Sequence, residues 1–295
     1  MGVFGSFRKL FSGSKKSTIE PTDIKERFDL ESRLGQGSMS KVFRARDRKL
    51  ARTVCLKILD KEKTARFEER FLGLQKPHEG MICQSLRHRN IVQTYEWGVT
   101  TAGELFLVME LIEGVGLNFL IETQNRQLEG RRIAFLVQLC DALAYVHEQG
   151  YIHRDICPRN VLVTPNGLVK LIDFGLTIPN RPEFCKPGNR TGTANYMAPE
   201  LIKRLHTDHR VDLFALGVTT YEVFTGNRPW EGAQSLQTML SHLNSPGRDP
   251  RDFKPDMDKE LAALLMRAIE REPKDRFQTA LEFREALKAL PRQDY

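Results

Sequence analysis

His153-Arg154-Asp155-Ile156-Cys157-Pro158-Arg159-Asn160-Val161-Leu162-Val163, with Leu171-Ile172-Asp173-Phe174-Gly175 soon after it, is the stretch that decides the character of this chain. Asp155, Asn160 five residues on, and Asp173 before Phe-Gly offer one base and two oxygen ligands of the kind that hard divalent cations prefer. Any one of these elements could occur by chance. In this order, and downstream of the two features that follow, they form a specific set.

The first upstream feature is Leu34-Gly35-Gln36-Gly37-Ser38-Met39-Ser40-Lys41-Val42. Missing side chains there let backbone amides approach phosphates, although the same residues also suit a plain hairpin turn. A dinucleotide fold needs a helix after such glycines, whereas Lys41 to Arg46 reads as a strand. The second feature is Val54-Cys55-Leu56-Lys57, an apolar strand with a lysine at its end. Lys57 is either a surface lysine with a buried stem or a cation aimed at phosphate oxygens. The second role needs an anionic partner. Glu79 suits it better than Glu68 or Glu69, because Glu79 shares a helical stripe with Cys83 and Leu86.

Around these points the pattern falls into two halves. Strands are expected at Phe28 to Leu34, Lys41 to Arg46, Thr53 to Leu59, Ile91 to Trp97 and Leu105 to Met109, with one helix around Lys76 to Leu86. From about Asn118 helical periodicity dominates, with Ile133, Leu136, Val137, Cys140, Leu143, Ala144 and His147 on one face and Gly150 as a stop. The division falls at Glu110 to Gly116. The expected organisation is a tail over 1–26, a domain over 27–290 (27–109, a hinge at 110–116, and 117–290), and an end at 291–295.

At 295 residues with 40% hydrophobic residues, the chain has enough material for one large two-lobed unit. Its five cysteines are scattered and show no C-x-x-C spacing, which points away from zinc and toward reduced thiols in a cytoplasmic setting. The formal charge of +7 comes mostly from basic residues interleaved with acidic ones, so nucleic acid is not an expected partner. No apolar run reaches the length of a membrane span, and the first residues lack a secretory signal.

From Phe28 to Leu290 the chain resembles the eukaryotic-type protein kinase family, in its Ser/Thr branch and most of all in the bacterial eukaryotic-like kinases. The resemblance implies an α+β bilobal fold, with a small antiparallel sheet and one main helix above a larger helical lobe. It also implies transfer of the γ-phosphoryl group of ATP to protein substrates with Mg²⁺, or Mn²⁺ in its place. By that likeness Asp155 orients the substrate hydroxyl and takes its proton, and Asn160 and Asp173 hold the metal. Lys57, paired with Glu79, grips the α and β phosphates beneath residues 35 to 40. The purine would lie between Leu34, Val42 and Cys55 above and Leu162 below, with Met109 as gatekeeper and Glu110, Leu111 and Ile112 as hinge. Ala198-Pro199-Glu200, Asp212 and Arg276 match structural positions, with Arg276 expected to pair with Glu200, and His153 is expected to be a packed spine residue.

Gly192-Thr193-Ala194-Asn195-Tyr196-Met197-Ala198-Pro199-Glu200 resembles the docking loop of Ser/Thr kinases. One departure stands two residues after the base, where such kinases carry a lysine and this chain has Cys157. Arg159 is the expected substitute cation for the γ-phosphate. Cys83 and Thr94 are smaller than the usual spine residues. Arg154 implies a phosphate on the activation segment, with Thr177 and Thr191 as candidates and Thr191 preferred. The rival readings are a nucleotide-binding scaffold without catalysis and a small-molecule phosphotransferase. At the start, Met1-Gly2-Val3-Phe4-Gly5-Ser6 fits an acylation pattern, and Arg8, Lys9, Lys15 and Lys16 with Phe4, Phe7, Leu10 and Phe11 suit peripheral membrane contact through residues 1–20.

Overall fold

The computed structural model describes residues 20–36, 39–188, 190–230 and 235–293. The acylation and membrane expectations fall almost wholly on residues 1–19, outside the described part. Among the described residues no helix is long and apolar enough to cross a membrane.

The small lobe is a five-stranded antiparallel sheet of β1 (Phe28–Gln36), β2 (Ser40–Asp47), β3 (Arg52–Leu59), β4 (Thr94–Val99) and β5 (Leu105–Met109), in the order β1-β2-β3-β5-β4. Alternation along β3 sorts its two faces, since successive side chains point oppositely. Val54 and Leu56 join Phe28, Ala45, Phe106 and Val108 in a cluster on one side. On the other side Val42 pairs with Lys57, Lys57 in turn with Leu107, and Cys55 with Met109, so these residues share the face turned toward the large lobe. Val42 and Cys55, two of the residues expected to face the purine, therefore lie on one face through register alone.

The strand expected over Ile91 to Trp97 starts later, at Thr94. Ile91 and Val92 serve instead as a join between lobes: Val92 N–H donates to the Leu171 carbonyl (3.0 Å) and Leu171 N–H to the Asn90 carbonyl (2.8 Å). An apolar run of this length does not reveal which element it packs against. Ahead of the sheet, Asp23 caps the short helix α1 (Ile24–Arg27), and Thr22 bridges to Thr100. Residues 22–26, placed in the tail on composition, thus belong to the small lobe.

Two further helices follow β3. Asp60 caps α2 (Lys61–Glu68), a 3₁₀ turn spans Glu69–Phe71, and α3 (Glu79–Ser85) carries Glu79 at its first position. α2 is charged on most of its surface and buries only Phe67, so it has little apolar periodicity to betray it.

The large lobe is mainly helical: α4 (Leu117–Glu122), α5 (Arg132–Glu148), α6 (Pro199–Ile202), α7 (Arg210–Thr225), α8 (Ser235–Asn244), α9 (Lys259–Ala268) and α10 (Ala280–Lys288). α7 is buried along nearly its whole length, with α5 and α9 packed against it. A small sheet of β6 (Val115–Gly116), β8 (Val161–Val163) and β9 (Val169–Leu171) lies next to the hinge, and β7 (Tyr151–Ile152) pairs with β10 (Ile178–Pro179). Gly116 pairs with Leu162, which places that leucine next to the hinge. Arg276 and Glu200 lock the lobe from within through two hydrogen bonds of 2.8 Å, with the guanidinium 4.8 Å from the Phe214 ring centre.

Candidate active site

Two polar clusters meet between the lobes. In the first, Lys57 Nζ lies 2.6 Å from Glu79 Oε1 and 2.7 Å from Asp173 Oδ1. Strand β3 supplies the lysine, the start of α3 supplies Glu79, and the loop after β9 supplies Asp173. Burial alone would lower the Lys57 pKa, but the carboxylates of Asp173 and Glu79 outweigh it and hold the ammonium well above its usual range. For Asp173 burial acts upward and the Lys57 ammonium acts downward, with a net lowering. Burial pushes Glu79 up against the pull of Lys57. Glu68, the nearer carboxylate in sequence, bonds Lys76 instead (2.9 Å).

In the second cluster Asp155 is fixed from two sides. Asn160 Nδ2 donates to Asp155 Oδ2 (2.9 Å) and to its carbonyl (2.8 Å). Thr193 donates to Asp155 Oδ1 through both its N–H (2.9 Å) and its hydroxyl (2.7 Å). The segment can come this close because Gly192 has φ +127°, and a Cβ there would stand 2.7 Å from the Arg154 carbonyl. Arg154 (φ 69°) and Asp173 (φ 62°) both sit in the left-handed region without being glycine, a strain of about 1–3 kcal/mol each that the surrounding contacts must hold.

Asp212, at the start of α7, fixes the loop before Asp155. Its carboxylate accepts the N–H of His153 (2.8 Å) and of Arg154 (2.7 Å) and lies 2.9 Å from His147 Nε2. His153 packs edge-on to Phe174 at 4.8 Å, and burial lowers its pKa, so it is a neutral packed ring. Cys157 is buried, and burial followed by the nearby Asp155 charge pushes its thiol up to about 12, which makes it a poor nucleophile. Arg159, by contrast, is exposed and makes no ion pair among the described residues; its charge is felt at Glu222, whose carboxylate accepts from the Tyr196 hydroxyl. Thr177 is fully buried with its hydroxyl toward the His153 carbonyl, whereas Thr191 is half-buried and its hydroxyl has no partner among the described residues.

On the small-lobe side, Leu34 is 50% exposed, Val42, Cys55 and Leu162 are half-buried, and Met109 is buried between β3 and β4. Met39 packs against the core and Ser40 is buried, while Gly37 and Ser38 lie outside the described residues. In the hinge, Glu110 turns its side chain away: its carboxylate takes Lys170 Nζ (2.5 Å) and the Gln93 N–H (2.7 Å). The Glu110 carbonyl and the Ile112 N–H have no main-chain partner among the described residues. Sequence patterning alone passed over Lys170 and the carboxylate contacts of Asp212, since both join residues far apart in the chain.

A small antiparallel lobe above a helical one, with these clusters between them, is the bilobal architecture of protein kinases. Residues 28–289 match the family described as the protein kinase domain, and the chain belongs to that family. It is 32% identical over 274 residues to the serine/threonine-protein kinase PknB of Mycobacterium tuberculosis, covering 90% of this chain and 43% of that protein. It is 31% identical over 287 residues to the serine/threonine-protein kinase pkn3 of Myxococcus xanthus (92% and 51%). With a probable serine/threonine-protein kinase of Clostridium perfringens it shares 34% identity over 257 residues (87% and 37%). The chain thus spans about half or less of the length of these relatives.

Proposed function

We propose that this chain is an active ATP-dependent kinase that moves the γ-phosphoryl group onto Ser and Thr hydroxyls of protein substrates, its own activation segment at Thr191 among them. The observation that carries this reading is the position of Lys57 Nζ, within 2.7 Å of both Glu79 and Asp173. A cation so held is aimed, and it costs no reorganisation when phosphates arrive.

The residues fit the substrates. Asn160 Oδ1 and Asp173 Oδ2 accept no hydrogen bond among the described residues, and the Asp173 side chain is 40% exposed, so both oxygens are available to a cation. Two such oxygens suit Mg²⁺, which takes one or two protein oxygens together with substrate phosphates. When bound, the ion neutralises charge on the phosphate oxygens. The unpaired Glu110 carbonyl and Ile112 N–H match the edge of a purine, and Leu34, Val42, Cys55 and Leu162 offer its faces apolar cover.

Asp155 orients the incoming hydroxyl and takes its proton on Oδ2, the oxygen that carries one hydrogen bond rather than two. Thr193 and Asn160 keep the carboxylate from turning, so catalysis rests chiefly on alignment. Lys57 orients the α and β phosphates, and Arg159 supplies the γ-phosphate cation in place of the lysine missing at Cys157. The test is transfer from labelled ATP with Mg²⁺ to generic protein substrates and to the chain itself, followed by phosphoamino-acid analysis. Label on Ser and Thr is the expected result. No transfer by the wild type would favour the scaffold reading, and label confined to Tyr would contradict the substrate class.

A further inference from the structure

An aromatic contact joins the small lobe to the segment after Asp173, and none of the chemistry above uses it. Phe67 of α2 and Phe71 of the 3₁₀ turn meet edge-on with ring centres 5.4 Å apart, and Phe71 meets Phe184 at 5.9 Å. All three rings are at most 5% exposed. Lys76 Nζ covers the pair at 5.3 Å from the Phe67 centre and 5.8 Å from that of Phe71, while bonding Glu68 Oε1 (2.9 Å) and the Pro77 carbonyl (3.1 Å).

The two ends of this contact belong to different lobes. Phe71 and Lys76 stand on the chain that leads into α3 and Glu79. The segment that carries Phe184 is fastened to the large lobe: Asn180 N–H donates to the Gly150 carbonyl (2.7 Å) and Thr207 N–H to the Cys185 carbonyl (3.2 Å), and within it Phe184 N–H donates to the Arg181 carbonyl (3.0 Å). α3 has only seven residues, so its position is set by what packs against it rather than by its own stability. Behind it, the spine positions hold the small buried side chains of Cys83 and Thr94, and the Thr94 hydroxyl has no hydrogen-bond partner among the described residues.

We propose that Phe71 and Phe184 are positioning residues for the Lys57–Glu79 pair. Burial of Phe184 against Phe71 holds α3 at the distance where Glu79 meets Lys57, an apolar support that compensates for the small side chains at Cys83 and Thr94. Only the kinetic arm of this proposal rests on the activity proposed above.

The molecule carries its own reporter. Trp97 on β4 lies against α3: its indole N–H donates to Gln84 Oε1 (3.0 Å), its ring lies 4.2 Å from that of His78, and a Cβ on Gly80 would stand 2.7 Å from it. Movement of α3 must therefore change the Trp97 environment.

The experiment compares the full chain with its Phe184→Ala, Phe184→Leu and Trp97→Phe variants by kcat, by KM for ATP and by tryptophan emission. Phe184→Ala should lower kcat by about tenfold to a hundredfold, the loss typical of misplaced catalytic geometry, with a smaller change in KM. Its emission should shift, the shift should vanish when Trp97→Phe is added, and Phe184→Leu should recover most of both signals. Wild-type kcat in Phe184→Ala, or a fall in kcat with unchanged Trp97 emission, would overturn the proposal. If Phe184→Ala does not fold, Phe71→Leu must show the same emission shift with about a threefold or larger loss of kcat, and wild-type values there would overturn it equally. Should the wild type transfer no phosphate, the activity reading fails, and emission alone judges the contact: a shift supports it, and none refutes it.

Discussion

Replacing Thr193 by Ala removes one of the three hydrogen bonds that hold the Asp155 carboxylate and leaves the other two, from the Thr193 N–H and from Asn160. The lost bond runs from a hydroxyl to an ionised acceptor at 2.7 Å, a kind that contributes about 1.5–3 kcal/mol. With the backbone N–H still on the same oxygen, the lower end applies, and about 1.5 kcal/mol corresponds to roughly a tenfold loss in rate. The loss should fall on kcat, because among the described residues the Thr193 hydroxyl bonds Asp155 and none of the residues assigned to ATP. Steady-state kinetics with varied ATP and varied peptide, run beside Thr193→Ser, provide the assay. Ser keeps the hydroxyl and should stay within about threefold of wild type. Wild-type kcat in Thr193→Ala, or an equal loss in both variants, would refute the claim that this bond steadies the base.

Other expectations follow from the same geometry. Arg276→Leu leaves the Glu200 carboxylate buried without its partner and should cost about 3–5 kcal/mol of unfolding free energy, read from denaturant midpoints; a loss below about 1 kcal/mol would contradict the role given to this pair. His242 bonds the Met197 carbonyl through Nδ1, its Nε2 is buried without a partner among the described residues, and burial lowers its pKa from 6.5 to about 4. The unfolded chain therefore takes up this proton first, so stability should fall as pH drops from about 6.5 toward 4. The loss between pH 7 and pH 5 is about 1–2 kcal/mol, and His242→Gln should flatten the slope; an unchanged slope would exclude His242 as its source. Arg159→Ala should reduce kcat about tenfold if this exposed cation meets the γ-phosphate, and full activity would end that assignment.

The polar centre was legible because its members lie in short stretches with fixed spacing. Asp155 and Asn160 are joined by one tight turn, Asp173 stands before Phe-Gly, and Lys57 lies in a strand whose register brings Val42 and Cys55 beside it. What escaped patterning depends on contacts between distant segments. Asp212, on a helix far along the chain, holds the loop backbone of His153 and Arg154, and nothing local in either segment signals it. The Lys170 to Glu110 bond turns the hinge side chain away from the cleft, which spacing cannot foretell. α2 leaves no signal in the sequence because a charged helix with one buried phenylalanine has no apolar stripe, and the start of β4 is blurred because Ile91 and Val92 are apolar where they join the other lobe. Residues 22–26 read as tail by composition, yet the Thr22 to Thr100 bridge and the Asp23 cap tie them to the sheet.

The central claim is that Asp155 serves the hydroxyl and Asp173 serves the metal-bound nucleotide, two carboxylates with separate duties. Measuring Mg²⁺-dependent ATP binding and phosphoryl transfer on the same preparations of wild type, Asp155→Asn and Asp173→Asn tests that division directly. The account predicts that Asp155→Asn binds ATP with Mg²⁺ as the wild type does while transfer falls by about a hundredfold or more, and that Asp173→Asn loses the Mg²⁺-dependent part of binding along with transfer. Transfer at the wild-type rate by Asp155→Asn, or undiminished Mg²⁺-dependent binding by Asp173→Asn, would contradict it.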